Sequence, residues 1–306
     1  MLGLFMPQNY RLFPNRFKPK TTKINIAIAN QIHCMISSRS FATTLRPPNF
    51  VNSMERSELI ALFSGHAGAV YDAVWWDARK RWVTAGGDGV VAQWEPDGVG
   101  KALLHHSGAF FSVAVAGDWL FAGTASGDVM VLHRDGRTPQ RVEAHRNGVF
   151  ALVPVADALW SGDGAGQILQ WHCENGRWLP LRATPSPDGT KVRTLLPHGD
   201  HFIVGTSGGW LGRFHPERGF TPFHGVPATG HYAALRLPSR PAWLVADGDG
   251  HLRVFDDTGQ QVYAFPAHQG PVYRMVRVGT RIWTASRDKS IKAWHAHDLT
   301  PQDKVT

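Results

Sequence analysis

The sequence predicts an all-β chain, a six-bladed β-propeller of four-stranded antiparallel blades. Three observations predict it. Glycines open successive repeats at Gly68, Gly108, Gly148, Gly189, Gly230 and Gly270, spaced by 40, 40, 41, 41 and 40 residues, which leaves no room for a further unit between them. Within each repeat, short apolar runs alternate with turns rich in Gly and Asp. The stretch Arg281 to Trp294, RIWTASRDKSIKAW, has its clearest echo at Arg81 to Trp94, RWVTAGGDGVVAQW, and fainter ones in the repeats between.

After each opening glycine, an apolar residue, two variable residues and a second apolar residue mark an inner strand, at 70–73, 110–113, 149–152, 192–195, 232–235 and 272–275. Two more strands follow, joined by turns at 86–89, 126–128, 164–166, 207–209, 248–250 and 287–289, where Gly and Asp tolerate the positive φ of hairpin turns. The strand after each turn ends in a large side chain: Trp94, Leu132, Trp171, Phe214, Phe255 and Trp294. Outer strands are read at 101–105, 141–145, 178–183, 220–224 and 261–266. The residues after Trp294, HAHDLTPQDKVT, read as too short and polar for the outer strand of the last blade. Ser57 to Phe63, SELIALF, is therefore expected to pair into that blade and close the ring, removing an exposed edge. The resulting division is an extension over 1–53, a propeller over 54–298 and a polar tail over 299–306.

Composition narrows the function classes. With 43% hydrophobic residues in 306, the chain can bury a sizeable core. Two cysteines, Cys34 and Cys173, provide no disulfide framework and favour a reducing compartment, here read as the cytoplasm. No run of eighteen apolar residues occurs, so no membrane span is expected. The pI of 9.8 is uneven in origin. Residues 1–54 hold seven Lys or Arg and no acid, leaving 25 basic against 24 acidic residues in the rest, so the body offers no basic groove for nucleic acid. For the acid-free extension three readings stay open: a mitochondrial transit peptide, a disordered basic arm, or sequence upstream of a true start at Met54. The first would place the protein in mitochondria.

Twenty-six to twenty-eight residues before Trp294 and Trp94 stand His268 and His66. The combination of His, Ser/Thr, Asp and Trp resembles the WD-repeat family, and two blades match it residue by residue: His66, Thr84, Asp88, Trp94 and His268, Thr284, Asp288, Trp294. The resemblance implies a buried chain of hydrogen bonds from Trp through hydroxyl and imidazole to carboxylate. Blade three keeps His145, Ser161 and Trp171 but has Ala165 where Asp belongs. Blade two keeps only His106, blade five Asp249 and blade four none, so these blades are expected to rest on apolar packing through Leu132, Phe214 and Phe255.

Several local motifs lose their chemistry once the repeat phase is known. Gly205-Thr-Ser-Gly-Gly fits a hydrolase nucleophile pattern, but that needs a strand-to-helix elbow and here lies in a hairpin. Gly162-Asp-Gly-Ala-Gly has no helix after it to receive a phosphate. Asp247-Gly-Asp-Gly begins like a calcium loop, yet Thr258 stands where the bidentate Glu belongs. No metal, cofactor or catalytic residue is assigned.

The family resemblance implies that the residues three and five after the motif His, and the one before the motif Asp, face the narrow top around the channel. The first set, Ala69, Ala109, Gly148, Lys191, His231 and Pro271, and the last set are mostly small, with Lys191, His231 and Arg287 the large exceptions. At the middle position stand Tyr71, Phe111, Phe150, Arg193, Ala233 and Tyr273, and a one-residue shift in blade five would substitute Tyr232. Aromatic side chains and Arg are enriched at binding hot spots. The expected function is therefore a non-enzymatic scaffold, monomeric alone, that binds a peptide segment or protein loop on an aromatic top face. The alternatives are a pocket enzyme at the channel mouth and nucleic-acid binding through the basic tail.

Overall fold

The computed structural model describes residues 63–305, which form 24 strands in six four-stranded antiparallel sheets, with no helix among the described residues. The expectations for residues 1–53 and 57–62 lie outside the described residues.

Each sheet is a blade whose strands pair in chain order. Blade one holds β1 (Val70–Trp76), β2 (Arg81–Gly86), β3 (Val90–Trp94) and β4 (Gly100–His105). Blade two holds β5 (Phe110–Ala116), β6 (Trp119–Thr124), β7 (Asp128–His133) and β8 (Gln140–Glu143). Blade three holds β9 (Val149–Val155), β10 (Ala158–Asp163), β11 (Gln167–Glu174) and β12 (Arg177–Pro185). Blade four holds β13 (Val192–His198), β14 (His201–Thr206), β15 (Leu211–His215) and β16 (Gly219–Pro222). Blade five holds β17 (His231–Arg236), β18 (Ala242–Asp247), β19 (His251–Asp256) and β20 (Gln261–Pro266). Blade six holds β21 (Val272–Val278), β22 (Arg281–Ser286), β23 (Ile291–His295) and β24 (Pro301–Val305).

Burial falls from the second strand outward, and the sequence follows it. β18 is buried along its whole length, whereas β20 is almost wholly exposed. The core is therefore a set of layers between blades. Val83, Ala85 and Val91 of blade one pack on Phe110, Leu120 and Leu132 of blade two, and comparable clusters join the following blades around to six. Leu132, Phe214 and Phe255 occupy in these layers the place that Trp94, Trp171 and Trp294 hold in the other blades.

The last blade corrects the expected closure. Its outer strand is β24, which pairs antiparallel with β23 from Ile291↔Val305 to Trp294↔Pro301. With β22 on its other side, β23 has no free edge for Ser57 to Phe63, and the expected polar tail 299–306 instead contains a strand. An outer strand needs backbone hydrogen bonds but no buried face, so a polar segment serves. Between blades six and one the described apolar residues form two separate groups: Trp283, Ala285, Ile291 and Ala293 on one side, Trp82, Ala92 and Trp94 with Phe63 on the other. An ion pair spans the two blades, Arg274 of β21 donating to Asp72 of β1 at 2.5 Å.

Truncation after Thr300 should strip β24 and leave β23 as a bare edge. Each ladder bond contributes about 1 kcal/mol, so a clear fall in the urea midpoint is expected. A truncated chain that unfolds at the same urea concentration as the intact one would show that β24 contributes nothing.

Candidate functional site

A polar clasp lies where the loop into the inner strand meets the turn between second and third strands. In blade one, His66 Nδ1 lies 2.9 Å from Asp88 Oδ2, His66 Nε2 2.7 Å from Thr84 Oγ1, and Trp94 Nε1–H donates to Thr84 Oγ1 at 2.8 Å. With Nδ1–H donating to the carboxylate, Nε2 accepts from the Thr hydroxyl, which in turn accepts from the indole. Blade six repeats this through His268, Asp288, Thr284 and Trp294 at 3.0, 2.8 and 2.9 Å.

The other blades reach a carboxylate by routes that motif spacing does not show. In blade three His145 and Trp171 bond Ser161 at 2.7 and 2.8 Å, and His145 Nδ1 lies 3.1 Å from Asp163. That contact is close but not aligned as a hydrogen bond, and Asp163 instead accepts the N–H groups of Ala165 and Gln167. In blade two His106 bonds Asp128 at 3.2 Å, with Ser126 and Arg141 as further donors. In blade four Thr206 and Thr190 donate to Asp188 at 2.6 and 3.0 Å. In blade five His231 bonds Asp247 at 2.6 Å, both fully buried, and Arg253 bridges Asp247 to Asp249. The reading that blades two, four and five lack polar closure is thus corrected: their aspartates sit one or more residues from the motif position, or in the preceding loop.

Beside each clasp the inner strand carries a one-residue bulge. The ladder skips Tyr71, Phe111, Phe150, Arg193, Tyr232 and Tyr273, one residue in each blade. A bulge re-aims the side chain of its extra residue. The bulge side chains meet in an arc from blade to blade. Tyr71 meets Phe111 edge-on at 5.1 Å, and Phe111 stacks on Phe150 at 4.9 Å and 12°. The Arg193 guanidinium lies 5.1 Å from the Phe150 ring and 5.2 Å from that of Tyr232, which meets Tyr273 at 5.4 Å. All six are half-buried.

The small residues of this face are seats for the rings. A Cβ on Gly148 would come within 2.8 Å of the Phe111 ring, one on Gly87 within 3.1 Å of Tyr71, and one on Gly164 within 3.2 Å of Phe150. Ala233 is buried and pairs regularly with Ala246, so the bulge residue of blade five is Tyr232. His231, read as facing the top, is instead buried against Asp247. Counting from glycines misplaced both, because the loops entering the inner strands differ in length. The position directly after the first inner-strand residue is the signal that finds the arc. Arg287 lies exposed on the turn after β22, and among the described residues its guanidinium sits over no ring of the arc.

Below the arc the inner strands of all six blades enclose a channel cavity of about 430 Å³, lined by apolar residues such as Val113, Leu152 and Leu195 with the Asp72–Arg274 pair. Among the described residues no group of three His, Cys, Asp or Glu could hold a metal.

A model of the WD domain, G-beta repeat family matches residues 57–95. The WD40 β-propeller domain of Doa1 superposes with a TM-score of 0.70 at 16% identity, covering 80% of this chain and 85% of that one. The chain folds as a β-propeller like that WD40 domain. The computationally designed Ika8 protein is also similar, with a TM-score of 0.63 at 18% identity over 81% of this chain and 78% of that one. No curated protein matches the sequence. At these identities the structural likenesses establish the fold of the propeller alone.

The clasp carboxylates are expected to contribute to the acid sensitivity of the propeller. Burial raises the Asp249 pKa, but the hydrogen bonds from Arg253 and the His251 N–H outweigh it and hold it at about 2. Burial likewise pushes up Asp88, Asp128, Asp188 and Asp288, but hydrogen bonds from the clasp donors outweigh it, and all are held below the usual carboxylate value. A depressed carboxylate stabilises the fold above its unfolded pKa, about 3.9, and that contribution is lost as pH falls through the folded value. The urea midpoint should therefore drop between about pH 4 and pH 2, and Asp249→Asn should flatten that drop. An unchanged slope would remove Asp249 from the linkage. Separately, Asp247→Ala strands the fully buried His231 and takes one of its two carboxylates from Arg253, and should cost about 3–5 kcal/mol. Thr284→Val interrupts one relay and should cost about 1–3 kcal/mol. Equilibrium unfolding measures both, and a reversed order would mean that the blade-five clasp is dispensable.

Proposed function

We propose that this propeller is a protein-interaction scaffold that holds a peptide segment or protein loop on its bulge-residue face. The observation that carries the reading is the unbroken arc of six half-buried side chains, five aromatic and one Arg, contributed one from each blade. Aromatic rings offer large contact area with few rotors, and Tyr adds a polar tip. Here the rings brace one another edge-on, stacked or tilted, and glycines lie close against several of them. A face ordered in advance loses little entropy when a partner is bound.

The test compares proteins captured from native lysate by the full chain and by the same chain carrying Tyr71→Ser, Phe150→Ser and Tyr273→Ser, both first shown to unfold cooperatively. A partner retained by the parent and lost from the triple variant is the expected result. Identical captures would mean that the arc only stoppers the channel.

A further inference from the structure

The charged groups of this face are unequally engaged. Its carboxylates are occupied from within: Asp88 by His66 and two backbone N–H groups, Asp188 by Thr190 and Thr206, Asp249 by Arg253, and Asp288 by His268, Ser290 and the Gln269 N–H. Arg253, Arg141 and Arg274 are likewise paired, but four cations are not. Among the described residues no carboxylate pairs with Lys191, Arg193, Arg287 or Lys289. The face therefore has acceptors already satisfied and donors to spare, whatever its net charge.

Arg193 is placed for one kind of contact. Its guanidinium lies against the rings of Phe150 and Tyr232 at 5.1 and 5.2 Å, and no described group accepts a hydrogen bond from it. A guanidinium bracketed by two rings and donating to no described acceptor keeps its N–H groups for another partner, in the fork that matches a carboxylate. Exposed Lys191, with Nζ 5.4 Å from the same Phe150 ring, adds a second cation beside it. Phe150 thus carries Arg193 and Lys191, while Phe111 stacks on it and continues the apolar surface to Tyr71.

We infer that the edge of Arg193, with Lys191 beside it, anchors a carboxylate, so the segment held on this face is an acidic peptide with an apolar or aromatic residue next to its Asp or Glu. This inference rests on the reading of the arc as a peptide site and names the chemistry of its occupant. The acidic side chain meets Arg193, and the apolar neighbour lies over Phe111 and Tyr71.

The experiment is selection of a random dodecapeptide display library on the immobilised full chain, followed by fluorescence anisotropy with the selected peptides. Enrichment of Asp and Glu beside apolar residues is expected. Arg193→Met should weaken the selected peptide by at least about tenfold, as should Asn or Gln at its acidic position, and the two changes together should cost little more than either. Because Arg193 also packs between rings, Lys191→Glu serves as the second variant: the position is exposed, so reversal of its charge should weaken binding without lowering the unfolding temperature. Selected peptides that are neutral or basic, yet are lost in the Tyr71, Phe150, Tyr273 triple variant, would overturn the acidic anchor and leave the face as the site. Binding indifferent to both sets of variants, or no enrichment at all, would overturn both readings.

Discussion

The carboxylate that gathers hydrogen bonds at one end of each blade, buried in blades two, three and five, is the constraint on which the rest of the structure depends. A blade is four strands joined by hairpins, and pairing alone leaves the loop between blades free to settle in several ways. Asp88, Asp128, Asp163, Asp188, Asp247 and Asp288 each gather donors from that loop, from the turn after the second strand, or from both. A carboxylate removed from water needs those donors, and a chain conformation that fails to deliver them leaves it stranded. The clasp thus selects one entry path for each inner strand.

That entry path sets what the propeller presents. Because the first residue of the inner strand is held opposite the end of the second, the next residue has no ladder partner and bulges outward. Repetition in six blades turns a local irregularity into a surface. The arc is then stabilised laterally, since paired aromatic rings contribute about 0.5–1.5 kcal/mol beyond their burial. Arg193 interrupts the aromatic series without breaking contact, its charge bracketed by two rings. Burial lowers its pKa from the usual guanidinium value, and neighbouring Arg274 acts in the same direction.

The clasps also show why one geometric role need not conserve one motif. The relay of Trp, Thr, His and Asp links the third strand to the loop in blades one and six. In blade five a fully buried His231–Asp247 pair with Arg253 does comparable work while Phe255 fills the place of the Trp by packing. Polar closure and apolar filling are separable, and each blade combines them differently.

Periodicity was enough to read the blade number, the hairpin turns and the strand order within blades, because these depend on spacings within one repeat. The resemblance to the WD-repeat family supplied the two complete relays and Tyr71, Phe111, Phe150, Arg193 and Tyr273 as one set. Tertiary structure decided the rest. Asp163 and Asp128 lie two residues from the motif position on opposite sides, and Asp188 lies in a different loop, so only the folded backbone brings them to the clasp. Tyr232 joined the arc because bulge register follows strand pairing rather than distance from a glycine. The outer strand of the last blade came from a polar segment, since an edge strand needs hydrogen bonds and little hydrophobic burial. Sequence alone determined the repeat and its local chemistry; where chain segments far apart meet, the physical arbiter was the pairing of backbone and buried charge that only the closed fold supplies.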